Sequence, residues 1–231
     1  MKVKCEKLKG IDEMITITEQ KPLEEIMQSL ESYQKVYLIG CGTCATICHT
    51  GGKSEVLEMK NKLEAGGKKV TGWMVIPTAC DTLTRYALME DAGAVDEADC
   101  ILVMTCAFGV QTVALYSDKP VYPALNTLFI GKEDEPGCFS EVCMQCGECI
   151  IGQYAGICPM TRCAKGLLNG PCGGAKNGKC EQNPDLDCAW VLIYERLKKL
   201  GELDKIKGFV PPKDYSKMKR PRTLRIAPFI D

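Results

Sequence analysis

The sequence predicts an α/β protein, with a Rossmann-like or flavodoxin-like parallel sheet in the N-terminal domain and a small, cysteine-rich, cofactor-stabilised C-terminal domain. Three observations carry this expectation. Short apolar runs alternate with amphipathic segments of helical length through the first half of the chain. Cysteine is heavily over-represented, with 16 residues against a single histidine, His49. The texture then changes after residue 131, where nine cysteines fall between Cys138 and Cys188 among many glycines and few apolar runs.

The elements follow in order. Residues 22–33, PLEEIMQSLESY, begin with Pro22 at a favourable first helical position and set Leu23, Ile26, Met27 and Leu30 on one face, as an amphipathic helix does. KVYLIG is a short apolar strand. It leads into the loop GCGTCATICHTGG, residues 40–52, and then into SEVLEMKNKLEAGG, where Ser54 suits an N-cap and Gly66-Gly67 stop the helix. KKVTGWMVIP is a second strand ending near Cys80, and Asp81 is placed to cap a helix through TLTRYALMEDAG. ADCILVMT is a third strand ending at Cys106, followed by the helical FGVQTVALYSD and a short extended KPVYPA. Strands alternating with helices give a parallel sheet with right-handed crossovers. Cys41, Cys80 and Cys106 then stand just past the C-terminal ends of strands, the edge at which such sheets bind ligands.

This places one domain at 1–131, with GKEDEPG as a polar, turn-rich linker into a cysteine-rich metal-binding domain at 132–207. That second domain ends in the amphipathic helix DCAWVLIYERLKKLG, with Asp187 as cap and Val191, Leu192 and Tyr194 available for packing. Residues 208–231 are expected as an extended arm, for Pro211-Pro212, Pro221 and Pro228 oppose regular structure there. The arm is basic: from Arg196 to Asp231 there are 11 Lys and Arg against 4 Asp and Glu.

Composition narrows the function classes. With 45% hydrophobic and 26% charged residues the 231-residue chain is ordinary for a globular protein, and its net charge of -1 gives no global electrostatic case for nucleic acid. The basic tail KMKRPRTLRI lacks interleaved aromatics, so it suits a partner surface better than a nucleic acid. No window is apolar enough to cross a bilayer, and MKVKCEKLKG lacks the core of a signal peptide, so an intracellular, cytoplasmic protein is expected. In a reducing compartment clustered thiols are metal ligands or redox groups rather than structural disulfides. With one histidine, the metal chemistry must be thiolate-dominated, which leaves iron-sulfur clusters or zinc held by cysteines.

The cysteines fall into two constellations. After Gly40 and Gly42 the loop GCGTCATICHTGG has Ala45 where a dinucleotide fingerprint needs its third glycine, so a nucleotide is a poor guest. What it carries is C-x2-C-x3-C, through Cys41, Cys44 and Cys48, with Cys80 and Cys106 as candidate fourth ligands of a [4Fe-4S] cluster. The bland alternative is a set of small buried thiols. His49 is a loop or capping residue, Cys100 a core residue within its strand, and Cys5 an isolated thiol. The second constellation is CMQCGEC, through Cys143, Cys146 and Cys149, the opening of the ferredoxin run C-x2-C-x2-C-x3-C-P. Gln153 occupies the expected fourth position; the next Cys-Pro is at Cys158, and Cys163, Cys172, Cys180 and Cys188 follow at long spacings, and several of these could donate the fourth sulfur. The later thiols, Cys188 included, suffice for a further cluster or a four-cysteine zinc site. KGLLNGPCGG around Cys172 is either a backbone wrap about a cofactor or a plain glycine-rich loop.

Taken together, IGCGTCATIC…GG, MTCAFGVQTVA, VYPALNTLFIG, CMQCGEC, GICPMTRCAKGLLNGPCGG and WVLIYERLKKLG resemble the small-subunit (MetV) family of multisubunit methylenetetrahydrofolate reductases. The C-terminal part also resembles the methylenetetrahydrofolate reductase C-terminal domain. The likeness runs from about residue 20 to residue 207. It implies a non-catalytic electron-transfer subunit of an oxidoreductase complex in one-carbon metabolism, the folate branch of the Wood-Ljungdahl pathway. The implied partner is a MetF-type flavoprotein that alone carries FMN or FAD, with further electron-donor subunits or ferredoxin upstream. Two [4Fe-4S] clusters, or one more, would sit on the cysteines named above, with zinc as an alternative at the later ones. The rival expectation is a zinc-stabilised interaction subunit without electron transfer.

Overall fold

The computed structural model describes residues 14–135, 137–218 and 220–223, so Cys5 and the end of the basic arm lie outside the described residues. The chain divides into two compact units, Met1–Ser140 and Glu141–Asp231. In the described residues no helix is long and apolar enough to cross a membrane.

The first unit is built on a four-stranded sheet. Its strands are β2 (Lys35–Cys41), β3 (Lys69–Ile76), β4 (Cys100–Met104) and β5 (Val121–Pro123), ordered β3-β2-β4-β5 and parallel throughout. Leu38 lies between Trp73 and Leu102 in register. The two central strands are apolar runs because both their faces are covered. Tyr37, Ile39, Ile101 and Val103 pack on one side with Leu88 of α4 (Thr84–Glu90), Val95 of α5 (Ala92–Glu97) and Val113 of α6 (Ala107–Tyr116). Their alternates Val36, Leu38, Leu102 and Met104 pack on the other with Ile26 of α1 (Leu23–Ser29) and Val56, Met59 and Leu63 of α3 (Lys53–Ala65). The period-2 alternation of strands thus feeds two cores, which makes the sheet doubly wound, as expected. Cys100 is fully buried in β4, and burial pushes its thiol up to about 11, so it is a core residue.

A second, antiparallel sheet was not foreseen. Its order is β1-β6-β7, from β1 (Met14–Gln20), β6 (Leu125–Glu135) and β7 (Cys138–Glu141). Residues 131–135 of the stretch GKEDEPG are therefore not a linker but the end of β6, and β7 follows from Cys138 within the first unit. Charged residues suit a strand with a solvated face, and Lys132 pairs with Asp134 at 2.9 Å.

Helix starts also differ from expectation in detail. α3 begins at Lys53 with Gly52, not Ser54, at its N-cap. Asp81 accepts from the Leu83 backbone N–H at 2.8 Å in a local turn, and α4 begins only at Thr84. The expected single helix after it is broken at Asp91 into α4 and α5, where the Tyr37 hydroxyl donates to the Asp91 carboxylate at 2.6 Å.

The second unit has little regular structure: α7 (Pro159–Arg162), α8 (Ala189–Leu200) and short 3-10 turns at Ile151–Tyr154, Leu203–Lys207 and Tyr215–Met218. Cys188, not Asp187, stands at the N-cap of α8, because Asp187 is held by Lys179 at 2.6 Å. The buried face of α8 is Trp190, Ile193 and Leu197, which pack with Tyr154, whereas Tyr194 is exposed. Trp190 meets Tyr154 edge to face at 5.8 Å.

Candidate metal centres

The loop after β2 is shaped by close backbone approach. The Cys41 N–H donates to the Gly51 carbonyl at 3.0 Å, and the Gly51 and Thr50 N–H groups both donate to Ala45. A Cβ on Gly40 would overlap the Gly51 carbonyl oxygen, and one on Gly51 would overlap that of Met104 in β4. The glycines that suggested a phosphate loop let the cysteine loop lie flat on the strand ends instead. Within it α2 (Cys44–Ile47) is one short turn, with Cys44 at its start and Cys48 just after it. His49 follows with a left-handed φ of 53 and an exposed side chain, as a loop residue.

Cys41 ends β2, Cys80 follows β3, and Cys106 stands at the N-cap of α6 after β4. The Cys80 thiol is pushed up by burial and then by the neighbouring sulfurs of Cys106, Cys41 and Cys44. The structure therefore brings both Cys80 and Cys106 to the loop. Cys48 turns instead toward β1: its thiol contacts the Thr16 carbonyl at 3.8 Å, and burial, followed by smaller effects of Cys44 and Glu133, pushes it up. Above the loop Thr18 and Thr50 share a hydroxyl hydrogen bond of 2.7 Å, and Gln20 donates to the Thr50 carbonyl at 2.9 Å. β1 thus pins the loop from the side, a part the sequence did not signal.

In the second unit the loop from Cys143 to Cys149 turns through left-handed residues at Gln145 and Gly147, and the Gln145 N–H donates to the Cys143 sulfur at 3.4 Å. Glu148 anchors this loop to the arm. Its carboxylate pairs with Lys217 at 2.7 Å and accepts from the Asp214 N–H at 3.1 Å, while the buried Lys213 donates to its carbonyl. These contacts hold the Glu148 carboxyl down at about 2, Lys217 first and the Asp214 N–H next. Further along the arm, Arg222 donates to the Gln145 carbonyl at 3.0 Å. Cys158 stands at the N-cap of α7, and Thr161 of that turn donates to the Val142 carbonyl at 3.2 Å, beside the start of the loop.

The segment KGLLNGPCGG is held by three staples. Trp190 Nε1 donates to the Leu167 carbonyl and the Tyr154 hydroxyl to that of Leu168, each at 3.0 Å. The Asn169 side chain donates to the Val210 carbonyl at 2.8 Å and accepts from the Val210 N–H at 2.7 Å. Beyond it, Cys163, Cys172, Cys180 and Cys188 line one cavity with Lys165 and Glu181.

The thiol-rich donor sets are chemically those that soft thiophilic metals and iron-sulfur clusters take. As placed, no group of three or more His, Cys, Asp or Glu among the described residues stands at ligating geometry, so metal binding requires the sulfurs to close on their guest. No curated protein and no solved structure matches this chain. Residues 122–216, which include every cysteine from Cys138 to Cys188, match the family described as Methylene-tetrahydrofolate reductase C terminal, and over that segment the chain is similar to that family.

Proposed function

We propose that this chain is an electron-transfer subunit of a methylenetetrahydrofolate reductase, acting beside a MetF-type flavoprotein that performs the chemistry on the folate. The observation that carries the reading is the collection of Cys41, Cys44, Cys80 and Cys106 at one sheet edge in a chain whose residues 122–216 match the C-terminal family of these reductases. A [4Fe-4S] cluster, when bound, supplies one-electron transfer at low potential.

The chain's own residues have the tasks of holding and shielding. Cys41 and Cys106, both nearly buried, would supply sulfurs from strand ends that cannot shift without disturbing the sheet, while Cys44 and the exposed Cys80 close the solvent side. Cys48 is the reserve thiol under β1. In the second unit Cys143, Cys146 and Cys149 form the other donor group, steadied through Glu148. Reduction of methylenetetrahydrofolate to methyltetrahydrofolate takes two electrons and two protons, and a flavin in the partner can gather the electrons singly and deliver them as a pair.

The test is anaerobic reconstitution with iron and sulfide. Iron and acid-labile sulfide bound to the chain, together with restored reduction of the partner's flavin, are the expected result. Cluster loading with no flavin reduction would overturn the proposal, and a colourless chain holding zinc alone would leave only an interaction role.

A further inference from the structure

We propose that the cleft between the start of α6 and the first residues of β6 binds a small organic carboxylate, a singly charged acid with an apolar body. β5 ends at Pro123 and the chain enters β6 at Leu125. Lys21, the residue after β1, is carried to the same place because its N–H donates to the Ala124 carbonyl at 2.9 Å. The Thr127 hydroxyl accepts from the Ala107 N–H at 2.8 Å, which fastens β6 to the start of α6. What results is a cavity of about 310 Å³ beside the carboxyl end of β5, on the edge at which a parallel sheet of this kind holds its ligands. The site does not rest on the helix end, for the first N–H of α6 is the one that Thr127 already takes.

The lining states the chemistry of the guest. Among the described residues Lys21 is its one charged side chain, only 18% exposed, and Glu25 holds it in an ion pair. An ammonium has three hydrogens, so the pair leaves Lys21 donors for a second oxygen. Because Glu25 already offsets the charge of Lys21, a guest with two or more negative charges meets net repulsion, whereas a single carboxylate can share the ammonium. Gln111 donates through Nε2 to the Ala107 carbonyl at 3.1 Å, which leaves its own side-chain carbonyl as an acceptor. The Asn126 amide lines the cleft with no hydrogen-bond partner among the described residues, and so adds both donor and acceptor. Val110, Pro123 and Leu125 form an apolar wall between these groups. A few convergent polar groups on an apolar wall is the make-up of a small-molecule site.

Volume narrows the class further. The cavity stands at the lower end of the ~300–1,000 Å³ typical of ligand pockets. At ~30 Å³ for each water it has room for about ten water-sized bodies, which suits an acid of the size of benzoate and is too little for a dinucleotide. One shared cation is likewise too little for a polyphosphate. The guest is bound and no bond is made or broken. Ala107, which Thr127 and Gln111 both engage, is the residue after Cys106, so an occupied cleft would steady the turn that follows that cysteine.

The full chain is titrated calorimetrically with benzoate, with benzamide as the uncharged counterpart and inorganic phosphate as the more highly charged one. The expected result is saturable binding of benzoate, with benzamide and phosphate weaker by roughly tenfold or more, the loss of one hydrogen bond to a charged group. Lys21→Met removes the cation, and Gln111→Trp fills the cleft from an exposed position. Each should weaken benzoate binding by a similar factor and leave the urea midpoint unchanged. In the unmutated chain benzoate should slow hydrogen exchange within residues 107–111 and 123–127. No saturable binding of benzoate, benzamide or phosphate bound as tightly, full binding in both variants, or protection centred on other segments would each overturn the assignment. The exchange measurement decides the matter even where a variant fails to fold. Neither iron nor the partner's flavin is read, so the outcome is independent of electron transfer.

Discussion

At the scale of residues, two polar groups bear on stability in ways that contact maps alone would undervalue. Tyr37 is fully buried between β2 and the α4–α5 break, and its hydroxyl serves the Asp91 carboxylate at 2.6 Å. Burial and that carboxylate raise the phenol, so it remains a donor at any physiological pH. Tyr37→Phe should cost about 1.5–3 kcal/mol in urea unfolding, because a hydrogen bond to a charged group is lost from a core position. Asp99 is the surface counterpart: its carboxylate accepts from the Lys35 N–H at 2.8 Å and the Gln34 N–H at 2.9 Å, which lowers it from its ordinary 3.8. A carboxyl lowered on folding adds stability above its unfolded value and loses it as pH falls through its folded one. Asp99→Asn should therefore be less stable than the parent chain at pH 6, and the gap between their urea midpoints should close toward pH 3. A gap independent of pH would refute this account.

Among elements, the loop between β2 and α3 is the one whose shape depends on single atoms. Gly51 sits against the Met104 carbonyl of β4, with no room for a methyl group. Gly51→Ala should destabilise the first unit by about 3 kcal/mol, at the upper end for overpacking, and should lower iron retention at Cys41 and Cys44. Gly67→Ala, in open space but with φ 83, should be milder and leave iron unchanged. The parallel sheet was legible in sequence because fully buried strands are continuous apolar runs, as in KVYLI and CILVM. β1 was not, since MITITEQ buries its threonines together with its isoleucines and so hides the usual alternation. β6 was not, since KEDE looks like a turn until its partners β1 and β7 are known. For the same reason the loop cysteines could be named from spacing, but the approach of both Cys80 and Cys106 and the diversion of Cys48 toward β1 depended on strand order.

For the whole molecule, the contrast is between a unit folded by apolar burial and a unit with a small apolar core, to which the proposed function adds metal bonds at the cysteines. The first unit has two apolar clusters on opposite faces of its sheet, and the second has one small cluster around Trp190. Metal stripping with a strong zinc chelator under reducing conditions should open the second unit to protease between residues 141 and 210, with the parallel-sheet unit surviving as a resistant fragment. Equal sensitivity of both units would contradict this division. Spacing alone could not sort the later cysteines into two groups, because backbone turns at Gly170 and Asn177-Gly178 decide which thiols share a wall. Because Lys213, Lys217 and Arg222 all grip the loop that carries Cys143, Cys146 and Cys149, the arm from Lys213 to Arg222 is mechanically coupled to that loop. An affinity tag or a tether to an electrode fixed at the C-terminus would pull on the thiol loop itself, so an immobilised form of this protein is better anchored by an exposed residue of α3, such as Lys53 or Glu58.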